Sequence, residues 1–106
     1  MGKLVRDKIP DIIRASGRTP RVTTLGTHDY RTALCAKLRE EVAELLAAHG
    51  ADVIEEAADI LEVLTAIVAE HGATIDSIVD IARSKREQRG GFEMRLWLES
   101  VDPPSR

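Results

Sequence analysis

Two short acidic runs carry the chemistry open to this sequence: "EEVAE", residues 40–44, and "EAAD", residues 56–59. They supply Glu40, Glu41, Glu44, Glu56 and Asp59, set among leucines, valines and alanines. Carboxylates turned toward an apolar surface repel one another, and burying an ion is costly unless it is compensated. Two compensations are open. Protonation raises the carboxyl pKa values. A hard divalent cation supplies the missing charge, and Mg2+ favours oxygen ligands, keeps its waters and is shared with substrate phosphates. The plain alternative is that the acids snorkel and form surface ion pairs with Lys37, Arg39 and their neighbours.

The elements that position these acids are helices. "DKIPDIIRASG" predicts a short helix capped by Asp7, tolerant of Pro10 in its first turn and ended by Gly17. Thr27 or Asp29 is expected to cap a long helix from about 30 to 49, stopped by Gly50. Asp52 is expected to cap a second, to about 71, and Thr74 a third, to about 89. "PRVTTLG", 20–26, and the alternating "FEMRLWLES", 92–100, predict strands that pair as a small ribbon, 20–26 with 92–99. The fold class is mainly α, an antiparallel helical bundle bearing that ribbon.

At about 100° per residue, phase separates the acids. Leu34, Leu38, Val42 and Leu45 mark the apolar arc of the first long helix, with Glu41 at its edge and Glu44 a step further round. Glu40 points more outward. On the second, Val53, Ala57, Ile60, Leu61, Leu64, Ile67 and Val68 mark the arc. Glu56 falls inside it, between the directions of Val63 and Ile67, and Asp59 lies at its rim. Glu41 with Glu44, and Glu56 with Asp59, are therefore i, i+3 pairs on consecutive helices. The tight "HGAD" link makes those helices antiparallel, so the pairs face each other.

A third helix turns cationic at its end, where Lys85, Arg86 and Arg89 continue the phase of Ile75, Ile78, Val79 and Ala82. Cations there complement the helix dipole. They also suit an anion site in which arginines grip phosphate oxygens. Lys3, Arg6 and Lys8 add candidates, with ordinary surface charge as the simpler reading of each.

The totals exclude several classes. The formal charge is −3, which argues against bulk attraction to nucleic acid or anionic membrane. One cysteine, Cys35, permits no internal disulfide and suits a reducing compartment; its direction makes it a packing residue. The start "MGKLVRDKIP" has no apolar run of signal or membrane length, so a cytoplasmic protein is expected. A length of 106 residues predicts one domain, 1–106, small enough to gain by self-association.

E-E-x-x-E followed by E-x-x-D on antiparallel helices resembles the all-α, MazG-like nucleotide pyrophosphohydrolase superfamily, which includes phosphoribosyl-ATP pyrophosphohydrolase. The flanks "KLVRDKIP", 3–10, and "KREQRGGFEMRLWLE", 85–99, look like those of a small stand-alone subgroup. The resemblance implies that Glu41, Glu44, Glu56 and Asp59 bind Mg2+, with Mn2+ as a substitute. It gives Glu40 a catalytic role beside Glu41, as outer support or in orienting water. It implies cleavage of a nucleoside triphosphate between the α- and β-phosphates, a house-cleaning role against non-standard nucleotides, and a homodimer or homotetramer. Lys85, Arg86 and Arg89 lie in that second flank, but no motif of the superfamily transfers a role onto them, so their phosphate-binding role rests on phase.

Two other readings stand beside it. One is phosphoribosyl-ATP as substrate, with the same metal chemistry. The other is a helical interaction module with an acidic binding face, which predicts no magnesium dependence. Tyr30, Phe92 and Trp97 are the rings available to stack on a base; packing is expected of each, although Trp97 falls on the more polar side of its strand.

Overall fold

A computed structural model describes residues 2–105. The chain divides into two compact units, Met1–Ile75 and Asp76–Arg106.

Among the described residues, the first unit holds three complete helices. Helix α1 spans Ile9–Ala15, with Pro10 in the first turn where its missing N–H costs nothing. It ends at Gly17, whose φ of +86° is the left-handed conformation glycine adopts freely. The Gly17 N–H donates to the Arg14 carbonyl at 2.9 Å, closing the last turn. Helix α2 spans Thr27–Ala47 and α3 spans Asp52–Ala69. The link between them turns at Gly50, with φ +60°.

Helices α2 and α3 pack against each other. Arg31, near the start of α2, donates from Nε to Glu70 Oε1 at 3.1 Å and from Nη2 to the Glu70 carbonyl at 3.2 Å. Glu70 caps the far end of α3, so the helices are antiparallel and this clasp sets their register. Ten residues along α2 from Arg31 stands Glu41; ten residues back along α3 from Glu70 stands Ile60, beside Asp59. Leu34 and Val63 are the buried apolar side chains of the seam. Leu38, Leu45, Ile60, Leu64, Ile67 and Val68 are half-buried.

The apolar arcs expected from phase are wider than the seam. Val42, Val53, Ala57 and Leu61 are exposed, because one neighbouring helix covers only part of each arc. Cys35, expected to pack, is exposed as well. The caps also differ. Gly26 and Ala51 occupy the N-cap positions of α2 and α3, and Asp29 and Asp52 sit in the first turns, where their charge meets the helix dipole directly. Lys8 rather than Asp7 precedes α1.

Helix α4, Ile75–Arg89, begins directly after Thr74, belongs to the second unit from Asp76 onward and ends at Gly90, with φ +81°. The expected ribbon does not form: among the described residues neither 20–26 nor 92–99 is a strand. Arg95 adopts φ +58° and its N–H donates to the Phe92 carbonyl at 3.1 Å, a turn in the middle of the alternating run. Phe92 and Trp97, expected to pack, are exposed. Among the described residues no helix is long and apolar enough to cross a membrane.

Candidate metal centre

The antiparallel register brings the acids of α2 and α3 to one place in the first unit. One carboxylate oxygen each from Glu41, Glu56 and Asp59 lies within 4.8 Å of the others. Glu41 sits two turns along α2 from Leu34, on the same face, and is only 6% exposed. Phase placed it at the edge of the arc; the structure puts it in the seam. Its Oε1 lies 3.3 Å from Lys37 Nζ, one turn earlier on the helix. Its Oε2 is buried with no hydrogen-bond partner.

Glu56 has the same defect: its Oε2 is buried and unpartnered. Its carboxyl is pushed above the ordinary glutamate range, first by loss of hydration, then by the negative charge of Glu44 and a hydrogen bond shared with Glu44. Asp59 and Glu41 add to the repulsion. A hydrogen bond between two carboxyl groups requires that one of them hold a proton. The surroundings of Glu56 therefore favour its protonated form.

Asp59 is compensated differently. Its Oδ1 accepts from Arg6 Nη2 at 2.7 Å. Glu44 is exposed and outside the close triplet, tied to it through Glu56. Glu40 is exposed and lies 3.7 Å from Lys37 Nζ, so the surface pairing considered for Lys37 does occur, alongside the convergence of the acids. Lys85, Arg86 and Arg89 belong to α4, in the second unit, and are exposed there.

A hard divalent cation fits this donor set. All the candidate ligands are carboxylate oxygens, and the two orphaned buried oxygens lack the positive partner that such burial requires. Beside the triplet opens a cavity of about 410 Å3, with Glu41 and Asp59 in its lining next to Arg6, Lys37, Val5 and Tyr30. The sequence offered Lys37 as a surface partner of these acids and Arg6 as an anion-site candidate, but placed neither on the wall of a cavity. Arg6 pairs with a residue 53 positions away, which no local pattern reveals.

Helices and acids of this kind define a member of the MazG-like, all-α pyrophosphohydrolase superfamily. More particularly, the chain belongs to the phosphoribosyl-ATP pyrophosphohydrolase family, whose profile matches residues 11–86, from α1 into α4. A protein of Mycolicibacterium smegmatis, described only as uncharacterized, is 59% identical over 56 residues. That match covers 53% of this chain, and the chain spans 57% of the relative's length. No solved structure matches the chain.

Proposed function

We propose that this protein is a Mg2+-dependent nucleotide pyrophosphohydrolase that cleaves nucleoside triphosphates between the α- and β-phosphates, giving the monophosphate and pyrophosphate. The observation that carries the reading is the pair of buried, unpartnered oxygens, Glu41 Oε2 and Glu56 Oε2, in a triplet of converging carboxylates. Glu41, Glu44, Glu56 and Asp59 would hold the ion, with Mn2+ able to replace Mg2+. When bound, the ion neutralises phosphate oxygens and orients water for attack.

The remaining tasks fall to the chain. Glu40, exposed beside Lys37, is suited to orient the attacking water or to support the ligands from outside. A water oxygen bonds to phosphorus as the bridging oxygen leaves, and the water's proton passes to an acceptor such as Glu40 or Glu41. Lys85, Arg86 and Arg89 are proposed to grip phosphate oxygens. The family profile runs across both units, which supports a single domain. Exposed apolar residues on α2 and α3 support a homodimer or homotetramer.

The test is pyrophosphate release from a panel of standard and non-standard nucleoside triphosphates, with Mg2+ and with chelator. Release that persists unchanged in chelator removes the proposed role of the acids. The panel includes phosphoribosyl-ATP, because the matched family is described by that substrate. Preference for it over the triphosphates would replace house-cleaning with that reaction as the physiological reading.

A further inference from the structure

Resting on the pyrophosphohydrolase reading, we propose that Arg6 is an exchangeable counter-ion: its guanidinium holds Asp59 while no divalent cation is bound, and moves to the substrate's phosphate chain when cation and nucleotide enter.

Arg6 lies outside the family match, on the irregular segment that precedes α1. Its Nη2 contacts Asp59 Oδ1 at 2.7 Å. Asp59 also offers an oxygen within 4.8 Å of acidic oxygens of Glu41 and Glu56. A cation seated among those oxygens and the guanidinium therefore compete for one carboxylate. Glu41, nine-tenths buried, meets Lys37 through its Oε1, but its Oε2 has no partner, and that oxygen marks where a ligand is still missing.

The pair is built to part. Arg6 and Asp59 side chains are 57% and 41% exposed, and a pair so wetted is held weakly. Among the described residues the contact runs through one guanidinium nitrogen, not the two-pronged grip of a permanent Arg–carboxylate pair. Lys37 is placed otherwise. It sits on α2 one turn from both Glu40 and Glu41, so it keeps partners of its own helix whatever Asp59 does. Once released, Arg6 stays on the wall of the 410 Å3 cavity that it shares with Lys8, Lys37, Glu41 and Asp59. That mixture of acids and cations suits a ligand that is itself a cation joined to phosphates. The guanidinium fork matches phosphate oxygens in a way an ammonium does not.

Two binding titrations on full-length protein test this without turnover: Mn2+ alone, followed by its paramagnetic signal, and inorganic triphosphate in excess Mg2+, which presents the phosphate chain whatever the base. Arg6→Gln is expected to bind Mn2+ several-fold tighter, because a competing positive charge is gone, and triphosphate about tenfold weaker, because a charge-assisted bond is lost. Arg6→Lys should return Mn2+ affinity toward wild type but leave triphosphate weak. Equal or weaker Mn2+ binding by Arg6→Gln overturns the proposal, since Arg6 then merely secures Asp59. Unchanged triphosphate affinity overturns it too. Wild type that binds no Mn2+ removes the metal reading itself, and the exchange with it, which is a different failure from either.

Discussion

Glu56 shows how much a single carboxyl reports. Its raised pKa means that the fold favours its protonated form. That contribution to stability is full at acidic pH and fades as pH rises from the ordinary glutamate value, about 4.3, through the raised folded value. Glu56→Gln keeps the shape and never ionises. In chelator, its melting temperature should overtake that of wild type as pH climbs from 5 to about 8, as thermal melts at each pH would show. In Mg2+ the same variant should lose at least about a hundredfold in turnover. A variant that melts lower than wild type at neutral pH in chelator would mean that Glu56 is not under repulsion. The side-chain types and their phase singled out Glu41, Glu44, Glu56 and Asp59 as facing acids; Glu41, Glu56 and Asp59 converge, while Glu44 stands exposed outside the triplet. The depth of Glu41 was not legible, because a helical direction says nothing of how closely the neighbouring helix approaches. The Arg6 contact was equally hidden, since an irregular segment has no period to follow.

The C-terminal ends of the helices were more legible than their N-caps. Gly17 and Gly50 take positive φ where the sequence predicted a stop, and Gly72 and Gly90 do so just past the ends of α3 and α4. Gly50 gives the sharpest test. A Cβ there would meet nothing within 4 Å, so Gly50→Ala pays only for the left-handed backbone. A loss of about 1 kcal/mol is expected, read as a lower urea midpoint with an unchanged slope. Gly26→Ser should act in the opposite direction, gaining a few tenths of a kcal/mol, because Gly26 occupies the N-cap of α2 with ordinary φ −73°. Strand reading failed for a physical reason. Alternation predicts a strand only where a partner edge supplies hydrogen bonds, and Arg95 in the left-handed region bends the 92–99 run away from extension.

For the molecule as a whole, the apolar surface left uncovered on the α2–α3 hairpin is the main consequence of a narrow seam. Leu46 and Ile54 are 80% and 72% exposed in the single chain. A short chain with so little fully buried side-chain surface gains most by covering such residues with another copy. Sedimentation at micromolar concentration should give a mass of two or four chains, and Ile54→Glu should shift it toward one. Monodisperse single chains for the wild type would remove the self-association proposal. Composition and length pointed to this gain, but which residues stay uncovered became visible only once α2 and α3 were paired.

The ligands of the candidate centre are drawn from both arms of one hairpin, and neither arm holds enough of them alone. On the proposed metal reading, a chain whose second arm has emerged but not yet docked lacks the complete ligand set, so divalent-ion affinity is expected to appear only with the paired hairpin.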